Sequence, residues 1–247
     1  MSDPIDSAEV HSRQPQFLTT HWTLILAARD DGLAGRAALE QLCKNYWPPL
    51  FVYARRNGHT PHDAQDVVQS FLSHLLARQD LNSVAPEKGR FRSFLLTAFK
   101  NFIISGVRRE NATKRGGQAI SANLDEMEME GLCAPELADS LSPDKAFDRA
   151  WARQLMARAL QRLSSEHQTP AQARLFAALQ STLTDGGRVV QEAETATRLG
   201  LTPGALAVAA TRLRRRYRAL IEDEVKQTLA NPADLAEELR GLWLAWS

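Results

Sequence analysis

A chain of 247 residues, 44% hydrophobic and 24% charged, has material for one large globular domain or for two of roughly 100 residues each. Its two cysteines, Cys43 and Cys133, are far apart and outside any CxxC pair, which argues against a disulfide framework or a zinc site and fits a reducing, cytoplasmic setting. No stretch approaches the roughly 20 apolar residues that span a bilayer, and the N-terminal MSDPIDSAEVHSRQPQ lacks the apolar core of a signal peptide, so no membrane partner is expected.

Residues 1–16 are expected to be a disordered tail, and 17–110 a helical domain built from four periodic runs: LILAARD, AALEQLCKNYWPPLFVYARR, DAQDVVQSFLSHLLAR and FRSFLLTAFKNFIISGVRR. In the second run Pro48 and Pro49 predict a break, because proline removes a helical donor and crowds the preceding turn. The third opens on Thr60, Pro61 and Asp63, a cap, a first-turn proline and a carboxylate at the positive helix end. Its Val67, Phe71, Leu72, Leu75 and Leu76 recur at the spacing of one apolar face. The fourth carries Phe91, Phe94, Phe99 and Phe102, which that spacing assigns mostly to the core.

Residues 111–145 form an acidic linker in this reading. Asp125, Glu126, Glu128, Glu130, Glu136, Asp139 and Asp144 crowd a stretch of weak periodicity containing Pro135 and Pro143. A second helical domain is expected over 146–230, where Phe147, Trp151, Leu155, Ala159, Leu160 and Leu163 recur at helical spacing. Residues 231–247 form an amphipathic extension with Leu235, Leu239, Leu242, Trp243 and Trp246 on one stripe. No run alternates with the period of a strand, so the fold class is all-α: two helical domains joined by an acidic linker.

Within the second domain, TRLGLTPGALAVAATRLRRRYRAL has the order of a helix-turn-helix. Gly200 suits the left-handed corner, Ala196, Leu201, Leu206 and Ala209 supply small and apolar packing positions, Thr202 caps the second helix and Pro203 begins it. A stripe through Leu206, Leu213, Tyr217 and Leu220 leaves Gly204, Ala207, Thr211, Arg214, Arg215 and Arg218 on or near the open face. With Arg212 and Arg216 these arginines can straddle DNA phosphates. Alone, such a cluster is also an ordinary solvated helix end. Bidentate base recognition needs Arg, Lys, Asn or Gln near the helix start, and this helix has Pro203, Gly204, Ala207, Val208 and Thr211 there. A strong grip on the backbone with weak sequence discrimination is the expectation.

These motifs, in this order, resemble an RNA polymerase sigma factor of the extracytoplasmic-function (ECF) type from about Phe17 to Leu229. DAQDVVQSFLSHLL is similar to the sigma helix that docks on the polymerase clamp, and GRFRSFLLTAFKNFIISGVRRE to the helix that opens and recognises the minus-ten element. The corner matches the module for the minus-thirty-five element. YWPPLFVYARRNGHTPHDAQDVVQSFLSHLL, with KRGG further on, is similar to a subgroup associated with planctomycetes. The resemblance implies core RNA polymerase and promoter DNA as partners, no cofactor, and control by an anti-sigma protein or a kinase. By position it assigns polymerase contact to Asp63, Asp66, Gln69 and Ser70. Minus-ten contact falls to Lys100, Asn101, Ser105, Arg108 and Arg109, and upstream contact to Thr202, Gly204, Ala207, Thr211, Arg212, Arg214, Arg215 and Arg218. Departures are Ser105, where the family often has aspartate, and Ala207 and Thr211, where it often has lysine and histidine. The acidic linker would thread polymerase channels built to hold nucleic acid.

An enzyme is not indicated, since the chain has no P-loop, nucleophile elbow or HExxH. His59 and His62 beside Asp63 and Asp66 superficially suggest metal ligands, but the helix start already accounts for them. The alternatives are a stand-alone helix-turn-helix transcriptional regulator and a sigma-like polymerase adaptor without promoter recognition.

Overall fold

The computed structural model describes residues 27, 32–77, 90–110, 131, 133–135, 137, 140–184, 192–229 and 231–246. The chain is all-α, and among the described residues there is no strand. The helices are α1 (Leu33–Arg56), α2 (Pro61–Ala77), α3 (Phe91–Glu110), α4 (Pro143–Ser165), α5 (Pro170–Leu179), α6 (Ser181–Thr184), α7 (Glu192–Leu199), α8 (Pro203–Lys226) and, after a 3-10 turn at Pro232–Asp234, α9 (Leu235–Trp246). The N-terminal tail, the expected run LILAARD apart from Ala27, and most of the acidic stretch, including Asp125, Glu126, Glu128, Glu130, Glu136 and Asp139, lie outside the described residues.

The predicted break at Pro48 and Pro49 does not occur: α1 runs unbroken through both prolines. Each proline denies a donor to a carbonyl four residues back, at Lys44 and Asn45, a cost of about 3 kcal/mol per residue in a helix interior. Packing outweighs it. Every residue from Asn45 to Ala54 is buried, prolines included, and each large apolar side chain so buried contributes about 1.5–3 kcal/mol. Tertiary burial here overrides local propensity.

The helix that covers this segment is α4. It packs most extensively on α1, and also on α8 and α9, so one apolar core runs from Leu42 and Phe51 through Phe147, Trp151 and Leu155 to Leu206 and Leu242. The segment before α4 is fastened to α1 as well: Arg56 donates to the Leu141 carbonyl, and Cys133 is buried beside the Pro48 carbonyl. Ser142 caps α4 by accepting from the Lys145 amide.

In α2 the Thr60 hydroxyl accepts from the Asp63 amide at 3.1 Å and donates to the Asp63 carboxylate at 2.7 Å, as the start signal implies. The buried face is Ala64, Val68, Phe71, Leu72 and Leu75. Val68 therefore takes the place expected of Val67, which is half-buried, and the Leu76 side chain lies outside the described residues. Phe91 and Phe99 of α3 are core residues, while Phe94 and Phe102 are half-buried against neighbouring rings.

Two helix ends use the same device. Gly58 (φ 91°) follows α1, and Gly200 (φ 68°) follows α7. At the latter, the Leu201 amide donates to Ala196 and the Gly200 amide to Thr197, the paired bonds of a left-handed cap. A methyl group at Gly200 would meet no atom within 4 Å, so only the backbone conformation opposes substitution. Gly200→Ala is expected to cost about 1–2 kcal/mol in denaturant unfolding, with Gly200→Asn costing less. Equal stability of the alanine variant would show that the corner tolerates a changed backbone.

Candidate nucleic-acid interface

The corner between α7 and α8 is built as its residue types require. Thr202 accepts from the Ala205 amide at 3.2 Å, Pro203 occupies the first turn, and Ala196 and Leu206 are buried on either side. Two expected packing positions differ. Leu201 is 36% exposed and Ala209 is half-buried, while Ala210 is buried. The left-handed cap turns Leu201 outward, and the buried register of α8 passes through Leu206, Ala210, Leu213, Tyr217 and Leu220.

At 100° per residue, Gly204, Ala207, Thr211, Arg215 and Arg218 fall within an arc of about 80° opposite that buried face. All five are exposed, as are Thr202 and Arg212, whereas Arg214 is half-buried. Arg216 is committed elsewhere: its Nε and Nη2 donate to the Glu166 carboxylate at 2.8 and 2.5 Å. Those bonds hold the Glu166 carboxyl below its ordinary range and raise Arg216 further. A carboxyl lowered in this way contributes stability above its ordinary titration range and loses it as pH falls through the lowered value. The cluster thus includes exposed arginines that face outward and one arginine that ties α8 to the end of α4.

Buried polar contacts hold α8 in place. Glu224, with its side chain 6% exposed, accepts from Arg158 and Arg162 of α4, each at 2.9 Å. The Tyr217 hydroxyl donates to the Met156 carbonyl at 3.2 Å, and burial pushes its titration up to about 12.

On α3, Asn101 and Ser105 are exposed, and the side chains of Arg108 and Arg109 lie outside the described residues. Lys100 is not a free cation. It is 37% exposed, ion-paired with Asp144 at the start of α4, and its ammonium lies 5.8 Å from the Tyr53 ring. The hydrogen bond from Lys100 to Asp144 raises the lysine's titration further. On α2, Asp63, Asp66 and Ser70 are exposed and Gln69 is half-buried; Asp66 faces His62 at 3.7 Å. The three expected faces are therefore carried by separate helices of one body.

One charged cluster escapes local pattern reading. Arg90 and Arg92 sit at the start of α3, where cations oppose the helix dipole. Their partners come from the far end of the chain: Glu237 and Glu238 in the first turn of α9, with Asp148 of α4 between them. Two arginines at the start of a helix whose first turn carries no acid are the sequence signal that such partners exist.

A family model described as "ECF sigma factor" matches residues 21–224. No curated protein and no solved structure gives a match to this chain.

Proposed function

The chain belongs to the ECF sigma factor family, and on that premise we propose that it docks on core RNA polymerase through α2 and holds promoter DNA through α3 and α8. The observation that carries the DNA assignment is the outward face of α8. Arg212, Arg215 and Arg218 are exposed on a helix that begins at a capped, glycine-cornered turn and packs its opposite face on the body. Arginines so placed neutralise phosphates on either side of a groove. Gly204, Ala207 and Thr211 precede them on the N-terminal half of the helix and offer no bidentate donor, so this face holds the upstream element mainly by its backbone. Asp63, Asp66, Gln69 and Ser70 form the polymerase-facing side of α2. Asn101 and Ser105, with Lys100 once it leaves Asp144, and with Arg108 and Arg109, form the minus-ten face of α3. Contacts with polymerase and both DNA elements then reinforce one another through effective concentration.

Run-off transcription with core RNA polymerase and a library of genomic promoter fragments tests this directly, alongside core pull-down. Transcripts from a few fragments that appear only with this chain are the expected result. Core binding without transcripts would leave a polymerase adaptor, the reading that the plain face of α8 favours. Absence of core binding would return the chain to a stand-alone DNA-binding regulator.

A further inference from the structure

The geometry points to α9 as an autoinhibitory clasp: its Glu237 and Glu238 grip Arg90 and Arg92 and hold the two DNA-engaging halves of the chain closed against each other. This rests on the function proposed above.

The first observation is placement. Glu238 is 2% exposed, and its Oε1 lies 3.1 Å from Arg92 Nη2. Arg90 Nη1 lies 2.9 Å from the other carboxylate oxygen, too oblique for a hydrogen bond, so that contact is Coulombic. Arg90 also donates to the exposed Glu237 at 2.7 Å. Arg92 lies 4.2 Å over the Trp151 ring and 3.4 Å from Asp148, which ties α3, α4 and α9 at one point. A buried carboxylate shared by two arginines is costly to leave half-paired, so the cluster is either fully made or fully released.

The second observation is that α9 lies beyond the matched segment, which ends at residue 224. The parts that carry the family's work lie within that segment, and α9 is added to them. Leu242, fully buried, and Trp246, with the Arg153 guanidinium 5.8 Å from its ring, seat α9 on the body.

The third is reach. Elements named for positions minus ten and minus thirty-five are separated by about 25 base pairs, or about 85 Å at 3.4 Å per step. A compact chain of this length has a radius of gyration of about 18 Å and so a diameter of roughly 45 Å. In the closed body Lys100 of α3 is also occupied by Asp144. The closed form cannot serve both elements at once. Core polymerase must replace the apolar seam between α1 and α4, and the α9 contacts add to what has to be released.

The test uses the full chain and a charge swap at the most accessible pair. Arg90→Glu sets a carboxylate against Glu237 and Glu238, and Arg90→Glu with Glu237→Arg restores an opposite-charge pair. Amide hydrogen exchange reports whether α9 is docked, and run-off transcription from a responsive fragment reports the chain concentration needed for half-maximal output. The single variant is expected to lose protection across α9 and reach half-maximal output at up to about tenfold lower concentration, the ratio being set by the competent fraction that the clasp removes. The double variant is expected to recover both wild-type values. An α9 that stays protected in Arg90→Glu overturns the lock, and an undocked α9 with unchanged or weaker transcription overturns its inhibitory role. Core binding with no transcripts from any form, or no core binding, overturns the sigma reading and the clasp with it, while exchange still reports docking separately.

Discussion

Glu224→Ala is expected to destabilise the chain by about 3–5 kcal/mol, because it removes the buried carboxylate that two guanidinium groups share at a helix interface. Arg158 and Arg162 reach Glu224 from successive turns of α4, and the carboxylate is nearly inaccessible to water. The Coulombic gain of such a triad is largely offset by desolvation, so the penalty comes from breaking it rather than from its net worth. For a chain of this size the loss corresponds to a fall of order 10 °C in the thermal midpoint. The control is Glu166→Ala, which removes an exposed partner from Arg216 and should cost no more than about 1 kcal/mol. If the two variants unfolded at the same denaturant concentration, water would have to reach Arg158 and Arg162 freely, and the α4–α8 seam would be looser than its geometry.

The largest expected effect on DNA binding comes from replacing Arg212, Arg215 and Arg218 together by alanine. Each phosphate that no longer meets an arginine should reduce the salt dependence of log K by about 0.9, so the triple variant should show a slope shallower by between about two and three. Affinity for duplex DNA at low salt should fall by about 10²–10³-fold, nearly equally for all sequences, since in the function proposed above these side chains meet the backbone. Arg216→Ala is the internal comparison: its guanidinium is held by Glu166, so its loss should leave the slope nearly unchanged. Filter binding or anisotropy across a salt series measures both. Equal slopes for wild type and triple variant would remove the outward face of α8 as the site where phosphates are bound.

What was legible in the sequence was local. Thr60–Pro61–Asp63, Thr202–Pro203 and Gly200 specify helix ends through atoms within a few residues, and each forms as its chemistry requires. The stripe through Leu206, Leu213, Tyr217 and Leu220 was legible for the same reason, since 3.6-residue periodicity needs no knowledge of a partner. Features set by distant partners were not. Pro48 and Pro49 look like a break until α4 is laid over them, and the exchange of Val67 for Val68 depends on how α2 is rotated against α1. The occupation of Lys100 by Asp144, and of Arg90 and Arg92 by Glu237 and Glu238, joins residues whose proximity no spacing encodes.

The proline pair in α1 also sets an order of assembly. Helices ordinarily grow from local hydrogen bonds, but this one crosses two residues that cannot donate one, and its continuity depends on a surface supplied far downstream. As the chain is synthesised, α1, α2 and α3 emerge well before α4, and the side of Tyr46–Tyr53 that faces α4 stays uncovered until then, although Tyr46 and Tyr53 already have Phe91 and Phe99 of α3 to pack on. α1 is therefore expected to become continuous through Pro48 and Pro49 only once α4 is there to pack on it. A pause in translation between α3 and α4 would prolong the interval in which that surface is open to chaperones or to other chains.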